Sequence, residues 1–143
     1  MSENQNTPRL FGQEHVARYQ ATGGAEGHDW QGTTTLLLTT TGRRSGQPRT
    51  TPLIYQPDGE NFLVVASAGG ADEPPQWYRN LQADPRVTVQ VRDRVFRAHA
   101  RDATPEEKPR MWQLMARTWP AYDDYQRKTS RVIPVVVLQP QTG

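Results

Sequence analysis

The ten residues from Gly42 to Thr51 hold three arginines, Arg43, Arg44 and Arg49, and no acidic side chain. Gly42 and Gly46 bracket Arg43, Arg44 and Ser45, so main-chain amides and planar guanidinium forks can converge on one phosphate or carboxylate. The pattern is neither a Walker loop nor a dinucleotide glycine fingerprint. The residues alone leave two readings, an anion clamp or a charged hairpin turn that serves solubility. A second constellation is Ala66-Ser67-Ala68-Gly69-Gly70-Ala71, followed by a predicted helix carrying Gln76, Trp77, Asn80 and Leu81. Small residues let a planar ring approach the main chain, and an indole beside an amide makes a wall for a polar aromatic ligand. Trp77, Asn80 and Leu81 share one helix face; Leu81 reads as packing, and Asn80 as the more ligand-like. The third is Trp119, Tyr122 and Tyr125, spaced by three after Pro120. A tyrosine hydroxyl there can donate a hydrogen bond or a proton to a substrate. Core packing is the competing reading for these rings, and Asp123 and Asp124 between them read as solvated.

Other chemistries are excluded or unsupported. With no cysteine, the chain has no disulfides, thiol nucleophiles or thiolate metal sites. His15, His28 and His99 have no spacing that suggests a shared metal, so no metal site is expected. No Ser/His/Asp arrangement or carboxylate pair is legible. If the chain is an enzyme, a bound cofactor carries the hard chemistry. The net charge of +2 does not demand nucleic acid as a partner; what matters is that cations concentrate in one turn. Hydrophobic residues make up 34% and the mean hydropathy is −0.83. No apolar run approaches the roughly 18 residues of a membrane span. No secretory signal is legible at the N-terminus, so a cytoplasmic protein is expected.

The elements that must position these residues follow from periodicity and turn chemistry. A short helix is predicted over residues 9–22 with Leu10, His15, Val16 and Tyr19 as a weak apolar stripe; residues 1–8 read as a frayed tail and 21–32 as a flexible glycine-rich connector. Strands are predicted over 33–41, 49–56 and 61–68, arranged as an antiparallel meander. The prolines Pro74 and Pro75 introduce a helix over 76–83. Alternation predicts strands over 86–92 and 95–101. Thr104-Pro105-Glu106-Glu107 has the composition of a capping box, with Met111, Leu114, Met115 and Thr118 on one helix face behind it. A last strand over 132–138 contains Pro134, which places that position at an edge or a bulge. The resulting division is an N-terminal segment, 1–32, and a mainly β domain with short helices, 33–143, of barrel-like antiparallel form.

Read together, LLLTTTGRRSGQPRTTPL (36–53), VVASAGGADEPPQWYRNL (64–81), ARDATPEE (100–107) and WPAYDDYQRKTSRVIPVVVL (119–138) resemble the deazaflavin-dependent nitroreductase family of coenzyme F420-dependent oxidoreductases. That resemblance implies an α+β split β-barrel similar to flavin-reductase and FMN-binding barrels. It also implies the cofactor F420, an 8-hydroxy-5-deazaflavin whose phosphodiester and oligoglutamate tail are anionic. By resemblance, Arg43, Arg44, Ser45, Arg49 and Pro52 line the cofactor groove, and Ser67, Ala68, Gln76, Trp77 and Asn80 lie against the deazaflavin and its linker. Trp119, Tyr122 and Tyr125 would line the substrate pocket, with Tyr122 and Tyr125 as catalytic candidates. Two departures stand out: Ala68 where relatives can carry Lys, and Trp119 where they can carry Tyr.

The implied reaction is hydride transfer from C5 of the reduced deazaflavin to a quinone, an activated enone or a nitroaromatic, with a proton from Tyr122, Tyr125 or water. An FMN-dependent oxidoreductase on the same barrel and a non-catalytic F420-binding protein are the competing readings. The expected partner is a small-molecule electron acceptor, not nucleic acid. No stable membrane insertion is expected, peripheral contact through the N-terminal helix is compatible with the sequence, and oligomeric state is left open.

Overall fold

The computed structural model describes residues 12–141. The expectations for residues 1–8 as a tail, and for Leu10 in the first stripe, lie outside the described residues. The first helix, α1 (Gly12–Thr22), buries His15, Val16 and Tyr19, the described part of its predicted stripe. Eight strands follow, interleaved with three more helices. They are β1 (Asp29–Trp30), β2 (Thr33–Thr41), β3 (Pro48–Ile54), β4 (Gln56–Asp58), β5 (Asn61–Val65), β6 (Arg86–Val91), β7 (Arg94–Asp102) and β8 (Val135–Pro140). The helices are α2 (Gln76–Ala83), between β5 and β6, and α3 (Lys108–Thr118) and α4 (Ala121–Lys128), between β7 and β8.

All strand pairs are antiparallel, in the order β1-β2-β6-β7-β8-β5-β4, with β3 on the other side of β2. The sheet curls into a split barrel. Its interior gathers Leu36 and Leu38 from β2, Val64 from β5, Val87 and Val89 from β6, Ala98 and Ala100 from β7, and Val136 and Leu138 from β8. Alternate residues point outward. Leu37 packs with Val16 and Tyr19 under α1, and Leu63, Val65, Val135 and Val137 pack with Met111, Met115 and Tyr122 from α3 and α4. This explains the unbroken apolar runs of β2 and β8: both faces of those strands are covered, so neither face needs polar residues.

Three sequence expectations are corrected. The meander does not form: after pairing with β2 over its whole length, β3 gives way to β4, which forms a separate hairpin with β5. The chain bends at the buried Tyr55, whose ring packs in the barrel interior. Next, β8 is no edge strand, because it pairs with both β5 and β7. Pro134 escapes the penalty of a central proline by lying just before the strand, where its carbonyl accepts from the Ala66 amide at 3.0 Å. Finally, the glycine-rich connector is anchored, not loose. Gly24 donates to the Tyr19 carbonyl at 2.9 Å, β1 pairs with β2, and His28 is buried, its Nδ1 at 3.0 Å from Asp29 Oδ1 and its Nε2 at 2.9 Å from the Tyr55 hydroxyl.

The capping box forms: Thr104 N donates to Glu107 Oε1 at 2.9 Å and Glu107 N to Thr104 Oγ1 at 3.3 Å, although regular α-helix begins only at Lys108. Among the described residues, no helix is long and apolar enough to cross a membrane, and no His/Asp/Glu group could hold a metal ion.

Candidate active site

Two depressions meet along Thr51 and Trp77. The first is a groove of about 640 Å³ over the turn between β2 and β3, lined by Arg43, Arg44, Ser45, Arg49, Gln76 and Asn80 among others. None of its lining residues is acidic. The turn is closed by main-chain bonds from Gly42 N to Gln47 O and from Gly46 N to Gly42 O, both 2.8 Å, and the Ser45 hydroxyl accepts from Gln47 N at 3.1 Å. Arg43 reaches α2, donating to Asn80 Oδ1 at 2.9 Å and to Gln76 Oε1 at 2.7 Å. Both partners are neutral amides, which orient the guanidinium without cancelling its charge. Asn80 is engaged at both ends of its amide, its Nδ2 donating to Thr40 Oγ1 at 3.2 Å. It acts as a brace for Arg43, where the sequence suggested an amide open to ligand. Arg44 and Arg49 are exposed and take part in no ion pair among the described residues. Three cations without an acid partner, in one groove, hold an anion more readily than a solubilising turn would require.

The second depression is an aromatic cleft of about 400 Å³ that includes Pro52, Ser67, Ala68, Trp119, Tyr122 and Tyr125. Trp77 forms the shared wall between groove and cleft. Ser67, Trp77 and Tyr122 are only 9%, 7% and 5% exposed, and their side-chain donors make no hydrogen bond to a described residue. Every sealed side-chain nitrogen or oxygen among the described residues has a partner, so these three polar atoms are not sealed, and all three residues line the cleft. Burial raises the Tyr122 hydroxyl pKa well above its ordinary value, with the neighbouring Tyr125 adding to the rise. The Tyr122 and Tyr125 rings meet edge to face, centroids 6.0 Å apart. The Trp119 indole NH donates to the Tyr125 hydroxyl at 3.4 Å, so this tryptophan shapes the wall and aims the tyrosine.

The small-residue segment after β5 is held by α4 and the chain beyond it. Arg131 donates to the carbonyls of Ser67 and Ala71, both at 2.8 Å. Ala68 adopts φ +47°, followed by Gly69 at +65° and Gly70 at +84°. A non-glycine residue in this region costs about 1–2 kcal/mol, more than the extra unfolded-state freedom of a glycine, about 0.5–1 kcal/mol. Ala68→Gly should therefore raise stability by about 0.5–1 kcal/mol, read as a higher urea midpoint. An unchanged or lower midpoint would show that the alanine is not strained.

The residues assigned to cofactor and substrate from the sequence fall on this joined surface: Arg43, Arg44, Ser45, Arg49, Gln76 and Asn80 on the groove, Pro52, Ser67, Ala68, Trp119, Tyr122 and Tyr125 on the cleft, and Trp77 on both. Sequence reasoning missed His15 and Trp30, which also line the cleft. The Trp30 ring lies 6.1 Å from His15 and 6.0 Å from Trp119, extending the aromatic wall to α1. A histidine on an apolar helix stripe was the only signal for His15, and a tryptophan in a glycine-rich segment for Trp30.

A family model described as F420H(2)-dependent quinone reductase matches residues 11–140. The chain is 44% identical over 128 residues to the F420H(2)-dependent quinone reductase Rv1261c of Mycobacterium tuberculosis, covering 87% of this chain and 86% of that protein. Among solved structures, one described as a domain-swapped dimer superposes with TM-score 0.72 at 36% identity, covering 89% of this chain and 93% of that one. An F420-H2 dependent reductase, FDR-A, superposes with TM-score 0.68 at 40% identity, covering 73% and 93%.

Proposed function

The chain belongs to the F420H(2)-dependent quinone reductase family, and from that premise we propose how its residues divide the work between groove and cleft. The protein is an oxidoreductase whose cofactor is coenzyme F420; when bound in its reduced form, that cofactor supplies the hydride that goes to a quinone. The observation that carries the assignment of residues is the junction at Trp77: three acid-free arginines open directly into an aromatic cleft with unpartnered donors.

In this reading Arg43, Arg44 and Arg49 bind the phosphate and carboxylates of the cofactor, with Ser45, Gln76 and Asn80 fixing the turn and Arg43. Pro52, Ser67, Ala68 and Trp77 would seat the deazaflavin ring, with the Ser67 hydroxyl and the Trp77 NH available to it as hydrogen-bond donors. Trp119, Tyr122 and Tyr125 hold the quinone, and the two hydroxyls donate to the oxygen on which negative charge develops. Burial keeps the Tyr122 hydroxyl protonated, which suits it to hydrogen bonding. The apolar lining also suits a lipid-soluble quinone, which is consistent with peripheral contact with membrane. A groove that ends in a cleft fits one small anionic molecule better than a nucleic-acid backbone, which needs a continuous cationic track.

The test of this function is the return of oxidised F420 absorbance when protein is added to reduced F420 and a water-soluble naphthoquinone. Steady turnover is expected; tight F420 binding without turnover on any quinone would leave a sequestering protein instead. Replacing Tyr122 and Tyr125 together by Phe should lower kcat/KM for the quinone by about 100-fold while F420 affinity holds. Unchanged turnover on every acceptor would remove both tyrosines from the reaction.

A further inference from the structure

We propose that His15 is the proton donor to the reduced quinone, a role that rests on the quinone reductase reading above. His15 is 2% exposed, yet it lines the acceptor cleft beside Trp30. Its Nε2 lies 2.8 Å from the Gly27 carbonyl. A carbonyl can only accept, so Nε2 carries a hydrogen and the ring is pinned in that orientation. Gly27 is shaped for this contact: at φ +108° its Cβ, if present, would stand 2.9 Å from the His15 ring. The opposite nitrogen, Nδ1, has no partner among the described residues. Because no sealed nitrogen there lacks one, Nδ1 is not sealed, and the cleft is the depression that His15 lines. The other two histidines are placed differently. His28 has both nitrogens engaged, by Asp29 and Tyr55, and His99 is exposed on β7.

A fixed imidazole with one free nitrogen at the substrate surface is placed to hold a proton and pass it on. Hydride transfer brings an electron pair to the quinone and leaves a negative oxygen. The Nδ1–H bond of the imidazolium then breaks, an O–H bond of the hydroquinone forms, and neutral His15 regains a proton from water entering the cleft. Tyr122 and Tyr125 orient the oxygen; His15 protonates it. Among the described residues, the groups facing the ring are Tyr19 from α1, Trp30 from β1, and the Gly27 carbonyl and Thr35 hydroxyl. Burial pushes the Tyr19 pKa up to about 12, so it stays neutral. Glu14 and Arg18 on α1 are exposed, and no ion pair among the described residues includes His15.

The experiment compares the unsubstituted enzyme, His15→Gln and the Tyr122→Phe/Tyr125→Phe double variant, using F420 fluorescence titration and naphthoquinone turnover across about pH 6 to 9. Glutamine can keep the bond to Gly27 but cannot exchange a proton. A donor must start protonated, so turnover of the unsubstituted enzyme falls as pH rises. His15→Gln should bind F420 unchanged, lose about 100-fold in kcat and lose that falling limb, while the double variant keeps it. His15→Gln turning over as fast, with the same limb, overturns the proposal. A flat profile in the unsubstituted enzyme overturns it too, and decides the matter even if the glutamine variant fails to bind F420. Absence of any quinone turnover by the unsubstituted enzyme would instead sink the reductase reading beneath it.

Discussion

Replacing Arg43, Arg44 and Arg49 together by Gln should weaken F420 binding by about 100-fold, with little change in the KM for quinone. The estimate takes about 1 kcal/mol for each cation–anion contact at this solvent-open site, where water screens the charges. Arg44 and Arg49 are exposed and unpaired among the described residues, so their loss removes charge without opening a hole. Arg43 differs because Asn80 and Gln76 hold it; its replacement also frees the Asn80 carbonyl, and the single variant should be the most costly of the three. Rising salt should weaken binding to the unsubstituted protein and affect the triple variant much less. Fluorescence titration at two ionic strengths reads both effects. A rise in quinone KM before any loss of F420 affinity would mean that the arginines serve the acceptor.

Gly70→Ala should cost about 3 kcal/mol of stability and impair the cleft at the same time. Its φ is +84°, and an added Cβ would stand 2.7 Å from the Tyr125 carbonyl oxygen and 2.9 Å from the Tyr125 Cα. Both are main-chain atoms of α4, so no side chain can rotate away. The segment after β5 and the helix carrying Tyr122 and Tyr125 would have to separate. Gly69→Ala is the internal control, since Gly69 also has positive φ but nothing lies within 4 Å of its Cβ position. It should show only the backbone penalty, about 1 kcal/mol. Chemical denaturation of the two variants checks the difference; equal losses would show that the approach to Tyr125 is not tight.

Much of this architecture was legible because local signals agreed with the tertiary outcome. Thr104 and Glu107 form the reciprocal bonds that their spacing predicts, and Pro75 caps α2 where predicted. What failed was long-range. Nothing in residues 49–65 says that β3 and β5 must part company, because the break at Tyr55 depends on where its ring finds the interior. Pro134 read as an edge signal, but proline forbids only a position inside the ladder, and the strand starts one residue later. The glycines of the connector suggested freedom. Gly27 instead serves a close approach by His15, a contact between segments that no periodicity reveals. The arginine turn was visible in composition, whereas its meeting with the cleft at Trp77 required α2 to be docked.

The most direct test of the joined groove and cleft is parallel titration of the protein with F420 and with FMN. A groove with three acid-free arginines predicts tight, salt-sensitive F420 binding and much weaker binding of FMN, which lacks the polyanionic tail. Tight binding of FMN with none of F420 would contradict the assignment of the groove and, with it, the division of labour proposed for this site.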